Sequence, residues 1–160
     1  MLKDFSICFW EASDNFKFEK ALWINLIQVD YQTNIWFIDF LTTWVTTGQH
    51  NCLYAWDLET ECVKYKIEHP KIKRNIVDVV ALPNMRLVAI ASLDKHVTIW
   101  DMSSLQLILT IDLPKGGVHQ LAYSSTFQVL LIAGYENNVS IYKIHPVYQD
   151  SFCEGRLIGH

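Results

Sequence analysis

One short pattern recurs along the chain at a nearly constant spacing. Its copies span residues 5–10, 52–57, 96–101 and 138–143, and their aromatic residues are Trp10, Trp56, Trp100 and Tyr142. These positions lie 46, 44 and 42 residues apart. A fixed period of tens of residues is typical of repeat folds, because each repeat buries its apolar face only against its neighbours. The repeat therefore constrains the fold more than any single motif does.

Three further apolar runs accompany each copy of the pattern. Two precede it, at 35–40 and 44–47, 76–82 and 87–92, and 118–123 and 129–134; one follows it, at 22–29, 61–67, 105–113 and 152–158. Apolar alternation and β-branched residues predict strands in these runs, although residues 21–28 also have a spacing that fits a helix. Four short strands per period of this length are typical of a propeller blade, so the sequence predicts an all-β fold.

The phase of the repeat divides the chain into one partial and three whole units. Residues 1–34 are predicted to be the last two strands of an incomplete blade, and 35–74, 75–117 and 118–160 are predicted to be complete four-stranded blades in one continuous propeller fragment. Closed propellers usually have four to eight blades. We therefore expect this chain to be an excerpt of a longer polypeptide, with the remaining propeller blades supplied by the same longer chain.

The chain resembles the WD40-repeat family. The likeness depends on two Trp-Asp pairs, Trp56-Asp57 and Trp100-Asp101, on the apolar run and turn at 87–94, and on the closing Gly159-His160. It implies a partial WD40-type β-propeller of about three complete blades and two preceding strands. The run 118–160 is also similar to repeats in the EF-hand-associated WD-repeat proteins of cilia, which implies a ciliary or axonemal setting.

The family resemblance also implies a hydrogen-bonded polar set within each blade. Its Asp place, six residues before each aromatic, is filled by Asp4, His50, Asp94 and Glu136. Its Ser/Thr place is filled by Thr46 in one blade but by Ile90 and Ile132 in the next two, and only His69 and His160 stand near a His place. We therefore expect apolar packing to provide more of the stability. The predicted structural-repeat residues are Asp4, Trp10, His50, Trp56, Asp57, Asp94, Trp100, Asp101, Glu136, Tyr142 and His160.

Composition and motifs exclude several classes of function. The 160 residues include 13 Lys+Arg against 17 Asp+Glu, a net charge of −4, which disfavours a nucleic-acid surface. The apolar runs fall short of the ~20 residues of a membrane-spanning helix, and the N-terminus does not resemble a signal peptide. The four cysteines contain no C-x-x-C pair, so we expect no metal and no other cofactor. These features predict a cytoplasmic protein without nucleic-acid or membrane partners.

Two features retain alternative interpretations. Asp94 with His96, and His50 alone, could serve acid–base or ligand chemistry, but their positions favour structural roles in turns before strands. No phosphate-loop, zinc-protease or nucleophile-elbow motif occurs, so we expect no enzyme activity. The basic segment at 71–74 lies in the loop between two blades and includes Lys71, Lys73 and Arg74. It is either an ordinary solvated loop or a site that binds an acidic segment of a partner.

The sequence thus predicts a non-catalytic protein-interaction scaffold, a WD-repeat propeller portion within a multi-subunit assembly of other proteins. The fold resemblance alone supports this prediction, which is a weaker basis than a site. The alternative is a substrate-recognition propeller of an enzyme complex, of the ubiquitin ligase or phosphatase type. The predicted location is cytoplasmic, with the cilium or axoneme as the specific site.

Overall fold

The structure is a computed structural model that describes residues 6–12, 18–25, 32–48, 51–113, 116–135 and 139–144. These residues form thirteen strands in four sheets, and every strand pairs antiparallel with its neighbour along the chain. Sequential antiparallel pairing needs only short hairpin connections. The described part of the chain is therefore a series of β-meanders, as the predicted all-β fold requires.

The first sheet pairs β1 (Ser6–Ala12) with β2 (Phe18–Asn25). Blade 1 consists of β3 (Gln32–Ile38), β4 (Thr43–Gly48), β5 (Cys52–Asp57) and β6 (Cys62–Glu68). Blade 2 consists of β7 (Ile76–Leu82), β8 (Leu87–Ser92), β9 (His96–Asp101) and β10 (Gln106–Asp112). Blade 3 contains β11 (Val118–Ser124), β12 (Val129–Gly134) and β13 (Val139–Lys143).

The first strands of the three blades lie beside one another. Strand β7 contacts both β3 and β11, whereas the later strands of each blade follow outward in chain order. Each first strand also has a one-residue bulge at the same place, opposite the end of the second strand: at Thr33, Val77 and His119. Bulges bend a strand and increase its twist. The same bend is thus built into the inner edge of every described blade.

The turn after each first strand also repeats. Short 3₁₀ turns occupy Asp39–Leu41 and Pro83–Met85, and the residues that close the three turns have left-handed backbones, with φ of 50° at Thr42, 56° at Arg86 and 54° at Gln128. Left-handed backbone is uncommon for residues other than glycine. Its recurrence shows that one turn geometry, not one residue type, is repeated.

Two apolar clusters join the three blades. The first lies between blades 1 and 2 and includes Val45, Leu53 and Ala55 on one side and Val88, Ile90 and Trp100 on the other. The second lies between blades 2 and 3 and includes Ala89, Val97, Ile99, Leu130 and Ile132. The two faces of blade 2 therefore enter different clusters, because alternate residues of a strand point to opposite faces.

Several strand positions differ from the sequence predictions. Strand β3 begins at Gln32, not at residue 35, because Gln32 and Asn34 hydrogen-bond within the sheets instead of forming part of the apolar alternation. Strand β2 ends at Asn25, so it covers only the first part of the predicted run 22–29, and the helix alternative for residues 21–28 is wrong where β2 occupies it. The predicted strand at 152–158 lies outside the described residues.

Candidate functional site

A chain of buried hydrogen bonds ties the three inner strands of blade 1 together. The indole Nε1–H of Trp56 in β5 donates to Thr46 Oγ1 in β4 at 2.8 Å, and the Thr46 hydroxyl donates to Gln32 Oε1 in β3 at 2.7 Å. Trp56 and Thr46 are buried. Thr46 was identified from the sequence as the Ser/Thr member of the set. Gln32 was not, because glutamine is not the residue that the family pattern places there.

Blade 2 lacks this chain of hydrogen bonds. Trp100 is buried like Trp56, but Ile90 replaces the threonine, and the Trp100 Nε1–H has no hydrogen-bond partner among the described residues. The imidazole of His69 packs edge-on against the Trp100 ring, with 5.5 Å between the ring centroids. Ring packing has therefore replaced hydrogen bonding at this position. A buried donor without a partner is rare, since its desolvation is not compensated.

The aspartates of the two Trp-Asp pairs hold the turns that follow. Asp57 Oδ1 accepts the backbone N–H groups of Glu59 and Thr60, and Asp101 Oδ1 accepts those of Ser103 and Ser104. The Glu59 hydrogen bond lowers the pKa of Asp57 below its ordinary value. Burial raises the pKa of Asp101, but the hydrogen bonds from Ser103 and Ser104 outweigh it and also leave that pKa lowered.

These lowered pKa values predict an acid-dependent loss of stability. A carboxylate whose pKa is lower in the folded state stabilises the protein above its unfolded pKa, about 3.9, and loses that contribution as pH falls through the folded value. Urea unfolding of the chain should therefore show a free energy that falls below about pH 4. The double variant Asp57→Asn with Asp101→Asn keeps the amide oxygens as acceptors and should show a shallower fall; an equal fall would contradict the assignment.

The remaining structural-repeat residues are only partly described. Tyr142 in β13 is half-buried and packs against the cluster between blades 2 and 3. Trp10 lies in β1, for which only the backbone is described. Asp4, His50, Glu136 and His160 lie outside the described residues, so the ligand or base interpretation of His50 stays a prediction.

Asp94 and His96 have separate partners in the structure. Asp94 Oδ2 accepts the backbone N–H groups of Lys73 and Arg74, at 2.7 and 2.8 Å, and the Ser92 hydroxyl at 3.2 Å. His96 Nδ1 lies 2.6 Å from Asp112 Oδ1 at the other side of the hairpin. The carboxylate of Asp94 is thus occupied by three donors that fix the loop before blade 2, which is the structural interpretation of this residue.

The basic loop has two kinds of lysine. Lys71 Nζ donates to Thr110 Oγ1 in β10 at 3.2 Å, so this side chain bridges to blade 2. Lys73 and Arg74 are exposed, and within the part of the chain that the structure describes neither side chain has a hydrogen-bond or ion-pair partner. Asp94 holds their backbone, so the two cationic side chains extend from a fixed base.

Lys73 stands at the edge of a groove of about 750 Å³ on the rim of blade 1. Most of the polar groups in its wall are hydrogen-bond donors or can act as donors. Lys66 lies 2.7 Å from Glu68, and this hydrogen bond raises the pKa of Lys66 to about 12. The lining residues are Asn51, Cys52, Tyr54, Lys66, Glu68, His69, Pro70, Ile72 and Lys73. The groove is therefore suited to an anionic or acidic ligand group.

Sequence reasoning missed one inter-blade residue, Asp78 in β7. Its Oδ1 accepts Trp36 Nε1–H from blade 1 at 3.2 Å, and its Oδ2 accepts the backbone N–H of Leu121 in blade 3 at 2.7 Å. The Asn34 amide also donates to the Val77 carbonyl, at 3.2 Å. The available signal was a single charged residue inside the apolar run 76–82.

The described residues contain neither a group of three or more side chains that could hold a metal ion nor a helix that could cross a membrane. Cys52 is buried and Cys62 is exposed, and both are free thiols.

Comparisons with known proteins give a likeness of fold. No protein-family model and no curated protein sequence matches the chain. A chain in a solved structure entitled "Crystal Structure of Mitotic Checkpoint Complex" is similar, with a TM-score of 0.65 and 16% sequence identity over 79% of this chain. The match covers 39% of that chain, so the protein spans about two-fifths of its length. Together with the four-, four- and three-stranded antiparallel sheets, this likeness identifies the fold as a partial WD40-type β-propeller.

Proposed function

We propose that the protein is a non-catalytic interaction scaffold, a propeller portion that binds an acidic segment of another protein at the groove beside Lys73 and Arg74. The observation that supports this proposal is the rigid presentation of two exposed cations by the Asp94 carboxylate. A fixed base reduces the conformational entropy that binding costs, since less of the loop has to be ordered by the partner. The comparison protein's title names a complex, which agrees with a role in an assembly.

The composition of the groove favours an acidic segment over a neutral one. Lys73 and Lys66 contribute cations, and Asn51 and Tyr54 contribute polar groups, whereas Glu68 is the one acidic residue in the wall and is paired with Lys66. Charge complementarity at an interface raises the association rate and selects between partners more than it raises affinity. Binding should therefore weaken as the ionic strength rises.

Zero-length carbodiimide coupling in the native assembly tests this proposal, because it joins a lysine amine directly to a carboxylate in contact with it. We expect Lys73 to couple to an Asp or Glu of another protein. Reversing both charges, Lys73→Glu with Arg74→Glu, should weaken that association at least about tenfold, since two favourable contacts become repulsive. The matched control is Lys64→Glu on the exposed outer strand β6, which should leave the association unchanged.

The coupling experiment contradicts the proposal in either of two cases. The first is the absence of any Lys73–carboxylate cross-link to another protein in the assembly. The second is an association that the double reversal weakens no more than Lys64→Glu does. In both cases the basic segment is an ordinary solvated loop.

The alternative function, a substrate-recognition propeller of an enzyme complex, uses the same groove. It differs in what happens to the bound protein: a substrate of a ligase or phosphatase complex is modified, whereas a scaffold partner is retained. The double reversal at Lys73 and Arg74 should then raise the abundance or phosphorylation of the cross-linked protein. An unchanged level with loss of association supports the scaffold.

We also propose a cytoplasmic location, with the cilium or axoneme as the specific site. The support for this is the similarity of residues 118–160 to repeats of ciliary WD-repeat proteins, together with the acidic net charge of −4 that disfavours nucleic-acid partners. Imaging of the tagged protein in ciliated cells tests it directly. Signal in the cell body without enrichment along the cilium would contradict the ciliary proposal.

A further inference from the structure

Two apolar faces at opposite ends of the blade series are exposed. The tail face belongs to blade 3 and consists of Phe127, Val139 and Ile141, which are 73%, 55% and 47% exposed. The head face belongs to blade 1 and consists of Ile35 and Phe37, which are 44% and 41% exposed. Exposed apolar groups that form contiguous patches mark interaction sites more often than scattered ones do.

The repeat itself shows what normally covers the tail face. Val139 and Ile141 hold the strand positions of Val97 and Ile99 in blade 2, which are 0% and 1% exposed because blade 3 packs on them. Leu53 and Ala55 hold the same positions in blade 1, and blade 2 covers them fully. At these positions the occupant is therefore the face of another blade.

The same comparison applies to the turn and to the head face. Phe127 holds the place of Met85 and Leu41, each of which packs against the cluster shared with the following blade. Ile35 holds the place of Val79 and Leu121, which are 4% and 5% exposed because each packs against the preceding blade. The head and tail faces are thus the two halves of an interface that occurs twice within the chain.

We propose that the tail face of one copy of this chain binds the head face of a second copy. The second copy is the committed occupant because the chain itself contains the matching half of the interface, with the ring of Phe37 against that of Trp44 at 4.8 Å on the head side. Head-to-tail contacts close into rings when the rotation permits. Two copies bring together six of the sheets that make up blades 1 to 3, within the four to eight blades of closed propellers.

Sedimentation velocity on the 160-residue chain, over a range of concentrations, tests the proposal. We expect a concentration-dependent dimer. Ile141→Lys should block the tail face and Phe37→Glu the head face, each raising the dissociation constant at least about tenfold, because a charge would be buried without a partner. Ile108→Lys is the matched control: Ile108 is 49% exposed but lies on the outer strand β10, outside both faces, so dimerisation should persist.

Mixing the two blocked variants makes the test specific to head-to-tail contact. Neither variant should dimerise alone, but the intact head face of Ile141→Lys should bind the intact tail face of Phe37→Glu, so an equimolar mixture should form dimers again. Far-ultraviolet circular dichroism of each variant verifies folding, since all three residues are exposed. A monomeric wild type, a dimer that persists in Ile141→Lys, or a mixture that stays monomeric would each overturn the proposal. The first outcome would assign these faces to further blades of a longer chain.

Discussion

Replacing Trp56 or Trp100 by alanine should lower the free energy of unfolding by about 3–5 kcal/mol, the usual cost of removing a large buried aromatic side chain. Both indoles are almost fully buried, at 5% and 4% exposure. Trp100 lies in the cluster between blades 1 and 2, so its loss leaves a cavity between two sheets as well as within one. Urea denaturation at one fixed protein concentration measures the change, because association would otherwise alter apparent stability.

A mild substitution provides the control for these alanine variants. Ile108→Ala removes an exposed apolar group from β10 and should change stability by no more than about 0.5 kcal/mol, as is usual for surface positions. Alanine variants at Trp56 and Trp100 that unfold at the same urea concentration as Ile108→Ala would show that the repeat aromatics do not anchor the blades.

Phenylalanine at the same two positions separates ring packing from hydrogen bonding. Trp56→Phe removes the donor to Thr46 Oγ1, whereas Trp100→Phe removes an N–H group that has no partner among the described residues. Trp56→Phe should therefore cost about 1–2 kcal/mol more than Trp100→Phe, the net worth of a buried hydrogen bond. Equal costs would mean that the Trp56–Thr46 bond contributes nothing to stability.

This difference between blades 1 and 2 could be predicted from the sequence. The position of Thr46, and its replacement by Ile90 and Ile132, followed from the repeat period alone. The structure then gave the consequence, a bonded Trp56 and an unbonded Trp100. Features that repeat along the chain are accessible to sequence reasoning because each copy checks the others.

Contacts that occur once, between residues far apart in the chain, were not accessible. Gln32 and Asp78 bond to partners 14 and about 43 residues away, and neither has an equivalent in the other blades that would reveal it. The groove beside Lys73 was also missed, because residues from β5, β6 and the following loop meet there only after folding. The basic loop itself was recognisable from charge, but its attachment to Asp94 was not.

The exposed head and tail faces show the same division. The sequence predicts apolar strands at 35–40 and 138–143 as it does in every repeat, and it cannot distinguish a covered copy from an open one. Only the structure shows that Val139 is 55% exposed where its equivalent Val97 is 0% exposed. Exposure depends on the neighbouring sheet, which is a property of assembly and not of the strand.

Asp78→Ala should destabilise the protein by about 3 kcal/mol, because two donors from two different blades would lose one acceptor. Trp36 Nε1–H and the Leu121 backbone N–H both depend on this carboxylate, and each unsatisfied buried or half-buried donor costs about 1–3 kcal/mol. The Val79 backbone N–H also donates to Oδ1, at 2.9 Å. The carboxylate therefore links β3, β7 and β11, the three strands at the inner edge of the blades.

Two companion variants make this prediction specific. Asp112→Ala removes a carboxylate that is 74% exposed and bonded to His96, and it should cost less than about 1 kcal/mol, as for other surface pairs. Asp78→Asn keeps one acceptor oxygen but places an amide N–H₂ against the second donor, so its cost should fall between those of the two alanine variants. Hydrogen exchange should also quicken at the Leu121 amide in both Asp78 variants, because that N–H loses its acceptor. A Leu121 amide that stays as protected as in the wild type, together with a stability loss no greater than that of Asp112→Ala, would mean that apolar packing alone holds the blades together.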